Sequence, residues 1–405
     1  MGVTTTVDGG TAYSKRPGAY RKELTEVGRG TPMGELMRRY WQVVALARDA
    51  TDTPREIRLL GEDLVLFRDG QGRPGLVHNR CCHRGTTLYY GKVEERGIRC
   101  CYHGWLFDVE GRVLEQPCEP DMGAKYRGKV RQPWYPVEEL YGLIFAYMGP
   151  PEKMQVLPRY ECLETLGEDE VVEVDDTSLG TDGDVIMPVN WLQHFENLAD
   201  PYHVPILHVR RTGQIPQHGV FSDTGRGVGA RPKEPLPDGE PLFFISEALI
   251  PTLRIVISPF GPAVGIGWIM PIDDTHLRNY TAFRAPKTAA SAGTAKIFTD
   301  LDAWKKMTRA ERRLKPGDWE AQTGQGEINL HSEEHLVSSD RGIVMLRKML
   351  MDQLRKLERG EDPINVSFDP AAPPVKLGSG DWPPPEGSGP DRRVFGGRVG
   401  AAAGE

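Results

Sequence analysis

The period of the apolar positions changes several times along the chain, and each change predicts an element. Residues 1 to about 30 are rich in Gly, Thr and charge and predict a loosely docked start. Thr31-Pro32 then offers an N-cap followed by proline at the first helical position. Glu35 falls in the first turn, and Leu36, Met37, Tyr40 and Trp41 recur on one side of the predicted helix. From Ile57 the pattern is that of strands: residues 57–60 and 64–67, an Asp69-Gly70 turn, and residues 75–78. Short runs with Gly turns continue through Glu110-Gly111 to residues 142–147, where Gly149-Pro150-Pro151 marks a boundary; together they predict a small β domain. A polar, acidic segment, 168–176, leads into residues 190–208. Apolar or alternating runs at 242–258, 263–272 and 277–283 predict an antiparallel sheet. Helical spacing returns over 298–315, and again at Ile343, Leu346, Leu350, Leu354 and Leu357 behind a Ser339-Asp340 cap. From Gly360 onward Pro and Gly dominate, which predicts an extended or disordered tail of about forty residues. There is no internal repeat. The expected class is α+β, a small all-β domain beside a larger domain whose antiparallel sheet is flanked by helices. The expected divisions are 1–40 (a segment and helix packing on the main body), 41–150 (the β domain), 151–358 (the larger domain) and 359–405 (the tail).

Composition narrows the class of partner. A 405-residue chain with 39% hydrophobic and 26% charged residues can bury a sizeable core. A net charge of -7, with no basic stripe, argues against a nucleic-acid partner. The opening residues lack the charged and apolar regions of a signal peptide, and no run of eighteen apolar residues follows. A soluble cytoplasmic protein with no membrane partner is expected. Six cysteines are too few for a disulfide scaffold, and four of them form two adjacent pairs beside histidines, which suggests metal ligands in a reducing compartment.

Cys81-x-His83 and Cys100-x-x-His103 give two thiolates and two imidazoles on two loops separated by sixteen residues. This is the spacing of a Rieske [2Fe-2S] cluster, in which two Cys hold one iron and two His the other, and neutral imidazole raises the reduction potential. Zinc is the alternative, but its usual knuckles pair Cys with Cys and His with His, whereas each half here mixes the two. Cys82 and Cys101 fall between ligands; Cys118 and Cys162 read as packed thiols. A second iron site is expected within residues 190–208. His203 and His208 offer two imidazole nitrogens, and Asp200, three residues before His203, can orient that ring or, being followed by Pro201, cap a helix. Five residues on a regular helix rotate by about 140°, so the two histidines need a distorted backbone, for which Pro205 is the candidate. Two His and a carboxylate on one face of Fe2+ leave positions open for O2 and substrate. From the residues alone many acids could complete that triad. Arg210 and Arg211 could pair with a substrate carboxylate, or form a solvated or interfacial ion pair. Phe243, Phe244, Phe260 and Trp268 suit an aromatic pocket or a sheet core equally. Gly225-Arg-Gly-Val-Gly229 lacks the pattern of a dinucleotide site and reads as a loop.

Over about residues 30–358 the chain resembles the α-subunits of Rieske non-haem iron oxygenases, in their phthalate-dioxygenase-like branch. The resemblance is carried by the cluster ligands, by Glu196-Asn197-Leu-Ala-Asp200-Pro-Tyr-His203 with His208, and by Gly324-Gln-Gly-Glu-Ile, Ser332-Glu-Glu-His-Leu336 and Ser339-Asp340. It implies Asp318 as the third iron ligand, just before the Gln322 to Ile328 segment, with Glu320 as the competing acid. It also implies that Asp200 links the iron site to a Rieske histidine of a neighbouring subunit in a homotrimer. Asn197 and Glu196 stand near enough in sequence to support the iron site, and His194 reads as structural. An external NAD(P)H-dependent reductase or ferredoxin would feed the cluster, and O2 would hydroxylate a small, aromatic substrate. Dihydroxylation and monooxygenation, including O- or N-demethylation, remain open. The alternative from another class is a Rieske electron carrier without oxygenase activity.

Overall fold

The computed structural model describes residues 12, 15–176, 184–203, 206–207, 219–232, 246–257, 263–291 and 301–377. Among them lie four antiparallel sheets. Three are small. Trp41–Leu46 pairs with Leu143–Tyr147, which pairs with Val137–Leu140. Arg55–Leu59, Glu62–Arg68, Pro74–His78 and Trp134–Tyr135 form the second. Lys92–Glu94, Gly97–Arg99, Leu106–Phe107 and Val113–Glu115 form the third. Alternation along Glu62–Arg68 explains how they share the interior: Leu64 and Leu66 enter the main core, while Val65 and Phe67 point the other way into a smaller core with Val77, Ile98 and Phe107. That smaller core also contains Cys81 and Cys100.

The fourth sheet has seven strands, in the order Glu170–Asp175, Leu277–Pro286, Ala263–Pro271, Leu253–Ile257, Ser246–Leu249, Gly227–Pro232 and Gly219–Asp223. One face is packed on the first part of the chain: Trp268 meets Phe145 edge to face at 5.6 Å and Tyr160 at 6.1 Å, and the Tyr280 hydroxyl donates to the Val44 carbonyl at 3.0 Å. Asn279 and Thr281 alternate with Tyr280 and Ala282 and so face the opposite side, where the short helices Trp191–Glu196 and Asp318–Thr323 lie.

Several local expectations change. The helix after Thr31 spans only Pro32–Arg38, with Thr31 Oγ1 accepting the Gly34 N–H at 3.1 Å. Trp41 opens a strand instead, because the β-branched Val43-Val44 that follows suits an extended backbone. Residues 168–176, expected only as a polar lead-in, contain the edge strand Glu170–Asp175; Val171, Val172 and Val174 favour it, and a sheet edge tolerates the interleaved acids. Gly225 does turn, with φ 75°, but the supposed loop becomes strand at Gly227. The helical stretch at 298–315 is divided into Leu301–Lys306 and Arg309–Leu314, because Thr308 and Glu311 form a capping box that restarts the helix. Arg341–Glu358 is helical as expected and buries Leu346, Leu350 and Leu354. Residues 361–377 are extended yet docked: Asn365 donates to the Ile250 carbonyl at 2.7 Å, Val156 N–H to Ser367 at 2.8 Å, and Leu377 is buried. The tail beyond Leu377 lies outside the described residues.

Candidate metal centres

The two Cys-His loops are closed in the same way. The Cys81 N–H donates to Thr86 O at 2.9 Å and Gly85 N–H returns to Cys81 O at 2.8 Å; the Cys100 N–H donates to Trp105 O at 2.9 Å and Gly104 N–H to Cys100 O at 3.1 Å. In each, the glycine four residues after the cysteine has positive φ, 80° and 70°, a conformation that a side chain would strain. The different Cys-to-His offsets are absorbed inside loops of equal span. Gln132, fully buried, pins the first loop by accepting from the Cys82 N–H at 2.7 Å and donating to His78 O at 2.7 Å. Arg99, paired with Glu94 and Glu115, ties down the second through Gly104 O at 2.7 Å.

This arrangement sorts the ligands by depth. Cys81 and Cys100 are buried, His83 and His103 are half-buried, and Cys82 and Cys101 are exposed. The imidazole rings stand 4.6 Å apart, and the Trp105 indole is stacked on His83 at 4.5 Å and 6°. A hydrogen bond from the Cys81 thiol pulls Cys100 down to about 6, while the same bond and burial push Cys81 up. An inner sulfur pair, one of its thiols readily ionised, with an outer imidazole pair fits a centre whose two irons take unlike ligands. Among the described residues no three His, Cys, Asp or Glu side chains converge on a single ion.

The second centre begins at Asn190, whose side chain accepts the Leu192 N–H at 3.1 Å and starts helix Trp191–Glu196. A 3-10 turn, Asn197–Ala199, follows, and Asp200 is extended. Pro205, the candidate for the distortion that the histidine spacing requires, lies outside the described residues. Asp200 Oδ1 accepts the Tyr202 N–H at 2.8 Å in a local turn, with no helix beginning at Pro201, and the residue also contacts His203. The His203 Nδ1–H donates to Asp200 O at 2.7 Å, with Asp200 Oδ2 at 3.5 Å, and this leaves Nε2 turned toward Asp318 Oδ1 at 3.9 Å. That separation is too long for a hydrogen bond; two ligand atoms each about 2.1 Å from one ion and about 90° apart stand about 3.0 Å apart, so the two groups would close by about 1 Å on a shared ion. Burial opposes a proton on His203, but Asp200 and Asp318 outweigh it and raise its pKa, so the site favours positive charge. Asp318, the first residue of helix Asp318–Thr323, is itself buried. Glu320, the competing acid, instead folds back to accept the Gly317 N–H at 2.9 Å. His208, Arg210, Arg211, Phe243, Phe244 and Phe260 lie outside the described residues.

The surrounding groups were less visible in the sequence. Glu196 is not at the iron site but in a buried ion pair with Arg347 of helix Arg341–Glu358, at 2.5 and 2.8 Å. Asn197 is half-buried in the 3-10 turn, its carbonyl accepting the Asp200 N–H at 3.3 Å. His194, buried, joins Gln322 to Asn279. A cavity of about 50 Å³, lined by Trp41, Tyr160, Leu253 and Trp268, lies on the other face of the seven-stranded sheet, away from His203. It is far smaller than the roughly 150 Å³ that admits benzene and belongs to core packing.

Residues 40–133 match the Rieske [2Fe-2S] domain family. The phenoxybenzoate dioxygenase subunit alpha of Ectopseudomonas oleovorans is 47% identical over 389 residues, which cover 92% of this chain and 94% of the relative. The tert-butanol monooxygenase / tert-amyl alcohol desaturase oxygenase subunit of Aquincola tertiaricarbonis is 36% identical, over 85% of this chain and 78% of its own. Among solved structures, Pseudomonas putida CBB5 NdmA with caffeine superposes with a TM-score of 0.59 at 18% identity, over 81% of this chain and 94% of that one. The expected α+β class is borne out, and correspondence with oxygenase subunits along nearly the whole chain removes the alternative of a bare electron carrier. The chain belongs to the Rieske non-haem iron oxygenases, enzymes that carry a [2Fe-2S] cluster and a mononuclear iron, as an oxygenase α-subunit of their phthalate-dioxygenase-like branch.

Proposed function

We propose that this oxygenase hydroxylates an aromatic carboxylate, drawing electrons from an external NAD(P)H-dependent reductase or ferredoxin. The observation that carries the reading is the approach of His203 and Asp318, 115 residues apart in sequence, to 3.9 Å in a buried, acidic setting. Cys81, His83, Cys100 and His103 would hold the cluster, and His203, His208 and Asp318 the mononuclear iron. When bound, the cluster supplies single electrons and the iron supplies the place where O2 is activated.

The chain's own groups prepare that chemistry. The Asp200 carbonyl fixes the proton on His203 Nδ1, so Nε2 keeps its lone pair for the metal. The Asp200 carboxylate is 28% exposed, free enough to meet a Rieske histidine of a second copy in a head-to-tail homotrimer. Arg210 and Arg211 are assigned to the substrate carboxylate, an anion present by name in the substrate of the 47% identical relative. The division into a cluster domain, 41–150, and a catalytic domain, 151–358, between residues 1–40 and the tail, is part of the same proposal. So is a cytoplasmic setting; among the described residues no helix is long and apolar enough to cross a membrane.

Metal analysis tests the site assignment. About three iron and two labile sulfide per chain are expected, falling to about two iron in His203→Ala with the Rieske EPR signal retained. Retention of the third iron in that variant would overturn the ligand set. Coupled O2 and NADH consumption across aromatic acids, neutral analogues and methyl ethers, with product analysis, separates ring hydroxylation from demethylation. An Arg210→Ala/Arg211→Ala double variant should lose acids but not neutral analogues.

A further inference from the structure

We propose that His194 is the positioning residue that sets the Asp318 carboxylate against His203, acting through Gln322. The proposal rests on His203 and Asp318 being iron ligands, as assigned above. His194 lies in helix Trp191–Glu196, nine residues before His203, and is 3% exposed. Both ring nitrogens are engaged. Nε2 lies 2.9 Å from Asn279 Nδ2, which can only donate, so Nε2 accepts. Nδ1 therefore carries the proton and donates it to Gln322 Oε1 at 3.0 Å.

Gln322 follows Asp318 by four residues in helix Asp318–Thr323, so the two side chains leave the same face of that helix. The helix is only six residues long and cannot fix its own orientation. Tertiary bonds must do so. Gln193 Nε2 donates to the Gln322 carbonyl at 3.3 Å and to the Gly326 carbonyl at 3.1 Å, while the Asn329 N–H donates to Gln193 Oε1 at 3.0 Å, which limits sliding. His194 limits rolling, because it grips the polar side chain one turn after Asp318 on the same face. Its far nitrogen is braced on Asn279 in strand Leu277–Pro286, in the interior of the seven-stranded sheet. The imidazole is thus a rigid strut from the sheet to the ligand-bearing helix, and it begins in the same segment that delivers His203. No single side-chain amide reaches both partners with the right polarity at each end.

Two substitutions separate the ends of the strut. An asparagine carboxamide falls near Nδ1 and keeps the Gln322 bond; a glutamine carboxamide falls near Nε2 and keeps the Asn279 bond. The experiment is anaerobic Fe(II) titration of holoprotein stripped only of its mononuclear iron, with the Rieske visible spectrum and the melting temperature followed in parallel. His194→Gln and Gln322→Met should weaken Fe(II) binding about 10–100-fold with the Rieske spectrum unchanged, and His194→Asn should stay within about threefold of wild type. Unaltered Fe(II) binding in His194→Gln and Gln322→Met overturns the proposal. Equal weakening in His194→Asn and His194→Gln, with a common fall in melting temperature, also overturns it, since only packing would then be at stake. If the His194 variants do not accumulate, Gln322→Met alone decides by the same criterion. Asp318→Ala is the control: normal iron in that variant defeats the ligand assignment itself, whereas lost iron there with normal iron in His194→Gln defeats only the positioning role.

Discussion

A neutral imidazole sealed inside a protein makes stability depend on pH with a definite sign. Burial, then the Arg254 guanidinium, lowers the pKa of His194 to about 4, with His203 acting the same way and Gln322 and Asp318 partly opposing. The folded chain resists a proton that the unfolded chain accepts near the ordinary value of about 6.5. The contribution of His194 is therefore complete above the unfolded value and is lost as pH falls from there toward about 4. Lowering the pH from about 7.5 to about 5 should cost about 2 kcal/mol through this residue. Other groups titrate in that window, notably His331, which burial and Arg347 also hold low. The informative quantity is consequently a difference: the loss in melting temperature of the holoprotein across that range should be smaller in His194→Asn than in wild type. Equal losses would show that the proton is taken up elsewhere.

At the scale of elements, helix Arg341–Glu358 supports the segment that carries His203 although it contributes no ligand. Arg347 grips Glu196 at the end of helix Trp191–Glu196, and it also reaches Glu334 at 2.8 Å. One turn earlier, a Cβ on Gly342 would stand 2.1 Å from the Ala199 carbonyl and 2.8 Å from Phe221, so only glycine permits the helix to lie against the turn before Asp200. Gly342→Ala should cost about 1–3 kcal/mol and slow turnover, with the Rieske spectrum unchanged because the cluster loops are not touched. A variant with wild-type melting and turnover would mean that the helix does not brace the turn. The same contacts show what a sequence can and cannot disclose. The Rieske domain is legible because cluster chemistry fixes a local spacing, here that of the proposed ligands Cys81, His83, Cys100 and His103, and so is the amphipathic period of residues 341–358. Glu196 looked like an aid to iron because it stands near His203 in sequence, but its partner Arg347 is 151 residues away. Nothing in the local pattern announces that pairing. Likewise Asn279 and Gln322, which define the place of His194, come from a strand and a helix 85 and 128 residues distant. Edge strand Glu170–Asp175 escaped because its acids disguise a valine alternation that only pairing with Leu277–Pro286 makes useful.

At the scale of the whole molecule, each candidate centre has one partly exposed side beside its buried groups. His83 and His103 are half-buried while their cysteine partners are sealed, and the Asp200 carboxylate beside His203 is 28% exposed. Under the proposed assignment one surface would present an electron exit and another an entrance, which suits a heterologous contact, and such contacts close into a ring when each copy uses both surfaces. In the proposed homotrimer the cluster of one copy would then serve the iron of the next. Mixed assemblies test this directly. Subunits with Cys100→Ser would lack the cluster but keep the iron ligands, and subunits with His203→Ala would keep the cluster but lack the iron. Each alone should be inactive. Co-expressed in equal amounts and purified through both of two different tags, they should recover about a third of wild-type turnover per chain, since every mixed trimer has one neighbouring pair in three that sets an intact cluster beside an intact iron in the right order. Transfer confined within a chain predicts no recovery at all, because no chain in the mixture owns both centres. Adding Asp200→Asn only to the Cys100→Ser subunit should slow the recovered turnover, and adding it only to the His203→Ala subunit should not, which would place the bridging carboxylate on the copy that receives the electron.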